Sequence, residues 1–369
     1  MLDSMDSSIR EEQDFISLSE LNYVSRAPDI SALIKQQFVD FRVNEELGFP
    51  LSGDGEHLYL RIRKTDLSTG DVARRLASIC RSSLSNVGYS GMKDKRGECT
   101  QWFSVPLTRI NEQRLKEIEC GFLQILDTQR NSRKLKVGSH RSNRFEVLLR
   151  QCQGHKSIFE ERLRSIETSG VPNYFGPQRF GNDMSNLAQV MCLFRAEMDL
   201  DGNRRINVKA RRRRSMLFSA ARAYLFNQVL SERIHQANWN QFVLGDVLNL
   251  GGTSRYFILE EGCWDEKLQH RLDGFDIHIS GPLAGEHAPE EKYISSAKAA
   301  RIEDEVLAKF QTLIDGLTVF GLKAARRPLR FVPTHLQWHW SVPQELKLQF
   351  TLPRGAYATS LLRELCTTN

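Results

Sequence analysis

Asp94 lies in the stretch Gly88-Tyr-Ser-Gly-Met-Lys-Asp-Lys-Arg-Gly-Glu-Cys-Thr-Gln-Trp-Phe-Ser-Val105, among Lys93, Lys95 and Arg96. Neighbouring cations favour the ionised form of a carboxylate. The same cations attract phosphate. An ionised carboxylate beside a polyanion site can attack a nucleotide or deprotonate it. A solvated Lys-Asp-Lys turn has the same composition, since ion-pair networks often mimic sites.

Other clusters point the same way. Lys209, Arg211, Arg212, Arg213 and Arg214 lie close together, with Arg204-Arg205 just upstream. Arg326-Arg327 with Arg330 form a second group, and Arg141, Arg144 and Arg150 a third. The net charge of +6 is mild, but basic groups spread along a chain suit a long polyanion better than a small metabolite. The 7 cysteines contain no Cys-x-x-Cys, so neither a zinc ribbon nor a thioredoxin-type site is indicated. Their odd number fits free thiols in a reducing cytosol. His335 and His339 fall on an alternating, strand-like run without a nearby third ligand, so no metal site is expected. Met1 to Arg10 is polar and acidic, unlike a signal peptide, and no apolar run reaches membrane-spanning length. A cytoplasmic protein without a membrane segment is expected.

The elements that must hold Asp94 are legible in the periodicity. Residues up to about 20 read as a loose arm. Leu33–Val43 and Glu56–Arg63 read as strands, the second with Leu58, Leu60 and Ile62 on one face. Thr69 is placed to cap a helix running to Ile79, with Val72, Leu76 and Ile79 on one side. Arg144–Leu149 is a strand candidate. A helix follows around Ile158, Leu163 and Ile166, with Gly170 set to end it. Helices are expected over 214–234 and 297–317. Strand alternation returns at Leu346, Leu348, Phe350 and Leu352. Strands, a helix-rich block and strands again suggest an inserted domain. The expected division is a catalytic core in two parts, 1–170 and 319–369, interrupted by an insert at 171–318.

Several strings together resemble one family. The Gly-x-Lys-Asp stretch with its Gln101-Trp-Phe103 element is followed in order by three further strings. These are Asn173-Tyr-Phe-Gly-Pro-Gln-Arg-Phe-Gly181, Arg214-Ser-Met-Leu-Phe-Ser-Ala-Ala-Arg-Ala-Tyr-Leu-Phe-Asn227 and Leu352-Pro-Arg-Gly-Ala-Tyr-Ala-Thr-Ser-Leu-Leu-Arg-Glu-Leu365. Asp40-Phe41 and Glu45-Glu-Leu-Gly-Phe49 match an N-terminal element. These strings resemble the motifs of the TruD family of tRNA pseudouridine synthases, and ordered motifs are more specific than any single pattern.

The resemblance implies an α+β fold: a pseudouridine-synthase core built on antiparallel sheet, interrupted by a family-specific α/β domain. It also implies isomerisation of uridine 13 in the D-arm of tRNA, by a monomer that uses no cofactor and no metal. Asp94 matches the family's catalytic aspartate, acting either as nucleophile or as proton abstractor. Lys35 matches a lysine that orients it. Phe145, in Ser142-Asn-Arg-Phe145, matches an aromatic that stacks on the target base, though its alternation with Val147 and Leu149 also suits a core position. Asn143 matches a polar residue that bonds the base or its loop. Arg179 is suited to gripping a phosphate, or to a purely structural loop. Cys99 stands where the family usually has threonine. Two other classes fit parts of the chain. One is a tRNA-binding module or folding helper without essential chemistry. The other is a nucleotide-dependent enzyme using Gly48 to Gly55, a weak signal without a Gly-x-Gly-x-x-Gly.

Overall fold

The run Leu58, Leu60, Ile62 continues to Lys64, and all four side chains point to the same buried face of a strand at His57–Thr65. That strand lies next to one end of the main path of a ten-stranded sheet in a computed structural model that describes residues 15–107, 112–198, 208–288 and 293–368. Residues 1–14 of the expected arm and the pair Arg204-Arg205 lie outside the described residues, as do the side chains of Lys209 and Arg211 to Arg213. The rest of that stretch is not loose, since Phe15 packs edge-on to Tyr224 and Leu18–Glu20 form a 3-10 turn. The chain divides into two compact units.

One unit comprises Pro28–Thr168, Val332–Ala358 and Leu365–Asn369. Its strands are β1 (Ser31–Leu33), β2 (Phe41–Leu47), β3 (His57–Thr65), β4 (Gly88–Tyr89), β5 (Glu98–Pro106), β6 (Leu123–Asn131), β7 (His140–Gln153), β8 (Thr334–Val342), β9 (Glu345–Pro353) and β10 (Thr367–Thr368). The main path runs β8-β9-β7-β2-β5-β3-β6, with β1 beside β7 and β10, and β4 beside β5. Pairing is antiparallel except at β2/β5 and β1/β10. The expected strand over Leu33–Val43 is broken in two. Lys35 adopts a left-handed φ of 56°, and a 3-10 turn at Phe38–Asp40 precedes β2.

Helix α1 (Thr69–Ile79) packs Val72, Ala73 and Leu76 against Leu60, Ile62 and Phe103. Its cap is Ser68 rather than Thr69. The Ser68 hydroxyl accepts from Asp71 N at 3.1 Å, and Asp71 accepts from Ser68 N at 2.9 Å. This reciprocal box satisfies two backbone donors, and it frees the Thr69 hydroxyl to turn inward. Helix α2 (Lys156–Ser169) places Phe159 edge-on to Trp340 of β8, and Gly170 follows it at φ 78°.

The other unit comprises Met1–Ala27, Ser169–Phe331 and Thr359–Glu364. Its helices are α3 (Ser185–Met198), α4 (Val208–His235), α5 (Glu266–Asp273), α6 (Ala297–Leu307), α7 (Gln311–Val319) and most of α8 (Ala358–Leu365). The helix expected over 297–317 is two, joined by a 3-10 turn at Ala308–Phe310. Helix α4 buries Ala220, Ala221, Leu225 and Phe226. Gly316 of α7 sits against the ring of Phe194, where any Cβ would collide. A four-stranded sheet completes this unit, built from Tyr256–Phe257, Leu248–Leu250, Ile277–Leu283 and Ala325–Pro328 in that order. Antiparallel and mixed sheets with packed helices make the fold α+β, as expected. Among the described residues, no helix is long and apolar enough to cross a membrane.

Candidate active site

Strand register builds a row of side chains across five strands. Lys64 of β3 pairs with Cys99 of β5, and Cys99 with Val43 of β2. Val43 in turn pairs with Phe145 of β7, and Phe145 with Phe350 of β9. Residues directly opposite across strands share a face. Asp94 lies in the loop leading into β5, where this row begins.

The Asp94 carboxylate accepts a hydrogen bond from Lys35 Nζ at 2.8 Å, and the two side chains keep 23% and 18% of their exposure. Lys35 Nζ also stands 4.1 Å from the centre of the Phe41 ring. The left-handed backbone of Lys35 is costly for a side-chain-bearing residue, and such strain persists only where surroundings enforce it. Two residues on, the chain is fastened by Asp40. Its carboxylate accepts from Gln37 N at 2.8 Å and from both Nε and Nη2 of Arg150, at 3.0 and 2.9 Å. Arg150 also reaches Glu345 at 2.6 Å.

The backbone of the Asp94 loop is fastened at several points. The carbonyl of Asp94 accepts from Lys64 Nζ at 2.7 Å and from the Cys99 thiol at 3.6 Å. Lys64 is fully buried and also donates to Leu67 O at 2.6 Å. Burial pushes its pKa down, while Cys99 and Asp94 oppose that shift. Burial likewise pushes the Cys99 thiol up, away from a reactive thiolate. Lys93 N donates to the Thr69 hydroxyl at 2.9 Å, Thr69 donates to Gln101 at 2.9 Å, and Gln101 Nε2 donates to Gly91 O at 2.5 Å. Lys93 Nζ pairs with Glu45 at 2.5 Å, with both side chains almost wholly buried. Glu45 also accepts from Trp102 N at 3.2 Å.

Phe145 is stacked on Phe350, with ring centres 5.2 Å apart and planes at 19°, and meets Phe41 edge-on at 5.9 Å. Asn143 precedes it by one turn of the pleat on the same face, and its buried Oδ1 has no hydrogen-bond donor among the described residues. Lys35, Asp94, Asn143 and Phe145 thus belong to one unit. Arg179 belongs to the other, on a 3-10 turn at Pro177–Arg179 with its guanidinium 5.5 Å from the centre of the Phe175 ring.

Two readings of charge need correction. Lys93 does not serve as a spare cation beside Asp94, because Glu45 takes it. The cluster at Arg326, Arg327 and Arg330 is structural: Arg326 pairs with buried Glu303 at 2.6 Å, Arg327 lies over Phe175, and Arg330 donates to His278 at 3.0 Å. Burial lowers the Arg330 pKa to about 10 and that of His278 to about 4. Arg144 of the third cluster is exposed, while Arg150 is committed to Asp40 and Glu345. Lys64 is a residue the motif reading missed, and Glu45, quoted in the N-terminal string, was not foreseen as the partner of Lys93. Both lie on extrapolated alternations, Leu58-Leu60-Ile62-Lys64 and Phe41-Val43-Glu45, which place a charge on a buried face. Among the described residues, no group of three His, Cys, Asp or Glu is placed to hold a metal.

Comparison with known proteins adds to this geometry. The family model described as tRNA pseudouridine synthase D (TruD) matches residues 17–192 and 196–365. A tRNA pseudouridine synthase D of Nitrosococcus oceani is 43% identical over 359 residues, covering 97% of this chain and 96% of the relative. One from Histophilus somni is 37% identical over 352 residues, covering 95% and 100%. A solved structure from Methanosarcina mazei, of a protein provisionally described as tRNA pseudouridine synthase D, has the same fold, with a TM-score of 0.68 at 20% identity over 96% of this chain and 98% of its own. With relatives this similar over nearly their full length, the chain belongs to the tRNA pseudouridine synthase D (TruD) family.

Proposed function

We propose that this protein is an isomerase acting on tRNA, converting uridine 13 of the D-arm to pseudouridine with Asp94 as the reacting carboxylate. The observation that carries this reading is the partly exposed Lys35–Asp94 pair on a loop whose backbone is tied down. A carboxylate positioned this way costs little reorganisation at the moment of reaction.

The reaction breaks the bond from C1′ to N1 and forms one from C1′ to C5. C5 gives up a proton and N1 gains one, so no atom is added and no electron is lost. Neither a cofactor nor a metal is needed for that balance. Asp94 serves as nucleophile or removes a ribose proton, and Lys35 orients it. Phe145 offers a ring to the extruded base, and the unsatisfied Asn143 Oδ1 suits an imino N–H of uracil. Arg179 takes a backbone phosphate. The segment 171–318 is assigned as the family-specific insert. The enzyme is proposed to work as a monomer in the cytoplasm.

The test is incubation of unmodified tRNA transcripts with the purified protein in a chelating buffer, followed by mapping of pseudouridine. Product at position 13 with wild type, and none with Asp94→Asn, is expected. Product at another position would remove the site assignment, and turnover by Asp94→Asn would remove the residue assignment.

A further inference from the structure

The Ser-Ala-Ala-Arg helix motif has no part in the chemistry at Asp94, yet it lines a cavity of about 480 Å³ within its own unit. That volume lies in the usual small-ligand range of roughly 300–1,000 Å³. Arg214, Ser215, Phe218 and Arg222 of α4 face it, with Phe175 and Phe320 opposite. Phe218 and Phe320 are only half-buried, their ring centres 4.8 Å apart. Arg214 holds its guanidinium 5.6 Å from the centre of the Phe320 ring. Arg222 Nη2 donates to Leu283 O at 3.1 Å and Lys323 O at 3.0 Å. Its Nε is buried and has no acceptor among the described residues.

Rings alone would make a core, and arginines alone a solvated surface. Half-exposed rings and a guanidinium only partly committed to carbonyls around one open cavity make neither. The rings offer π-faces of the kind that stack on bases, and the guanidinia offer donors of the kind that hold phosphate. We propose that this cavity is a second nucleotide site, taking one nucleoside monophosphate unit with its phosphate toward Arg214 and Arg222 and its base against Phe218 and Phe320. The unit comes either from the RNA chain, at a position other than the isomerised uridine, or from a free nucleotide. The RNA source rests on the proposed function.

Wild type, Ser215→Trp and Phe218→Ala, each as the full chain, are titrated with uridine and adenosine 5′-monophosphates. The same proteins are tested with an unmodified tRNA transcript by filter binding, and their pseudouridine formation is followed in parallel. Ser215 is exposed on the helix surface, so tryptophan there plugs the cavity mouth without deleting a core contact. Each substitution should weaken the occupant's binding by about tenfold, the loss of one stacked base. A loss on tRNA assigns the unit to RNA; a loss on the monophosphates assigns it to a free nucleotide. Wild-type affinities for every ligand in both variants overturn the site. That result is distinct from failure of the Asp94 reading, which would appear as tRNA bound without pseudouridine by wild type.

Discussion

Two lysine–carboxylate pairs meet at neighbouring residues of one loop, and their surroundings are opposite. Lys93 and Glu45 keep 6% and 0% of their side-chain exposure, while Lys35 and Asp94 keep 18% and 23%. Glu45 also accepts from the Trp102 amide. A dry pair must stay paired, because separating it leaves a buried charge. A wet pair can exchange partners with water or substrate at small cost. The difference separates a buried carboxylate that holds the loop from a partly exposed one proposed to react, although both are acids beside lysines.

The largest expected effect is on the wet pair's acid. Asp94→Asn should lower the rate of pseudouridine formation by about 10³-fold or more, with tRNA affinity retained in a filter-binding assay. The dry pair should respond in stability instead. Glu45→Gln strands Lys93, and urea unfolding should show a loss of about 3–5 kcal/mol. Should Glu45→Gln leave stability untouched, the contrast between the pairs is broken. Lys35→Met should change stability by less than about 1 kcal/mol, yet slow turnover about 10²-fold through a misplaced carboxylate. The smallest effect belongs to Cys99→Thr. A threonine hydroxyl can donate to the Asp94 carbonyl as the thiol does, so stability should hold within about 1 kcal/mol. Activity should stay near wild type. A collapse of activity in that variant would give the thiol a role that its burial argues against.

The parts of the fold that were legible in the sequence are those set by local pattern. The alternation at β3 and β9 and the apolar face of α1 required no distant information. The break between Lys35 and β2 was not legible, and the Asp40–Arg150 pair within it joins residues 110 apart. The cluster at Arg326, Arg327 and Arg330 misled for the same reason. Neighbouring arginines look alike in sequence, but Glu303 and His278 decide that Arg326 and Arg330 are interior groups. Asp94 was singled out by its motif, and Glu45 lies in the N-terminal string, whereas the support from Lys64 shows only as a charge continuing an apolar alternation.

The ion pair of Arg150 with Glu345 spans 195 residues of chain, and the stacked rings of Phe145 and Phe350 lie on the same two strands. Strand β7 therefore leaves the ribosome long before its neighbour β9 exists. During synthesis the Asp94 loop can form beside β3 and β5, but the aromatic side of the row is one strand short until the intervening unit has been made. Long-range pairing of this kind is late and slow. Activity should consequently switch on only after most of the chain has emerged, which keeps the half-made protein from acting on the tRNAs that crowd the ribosome building it.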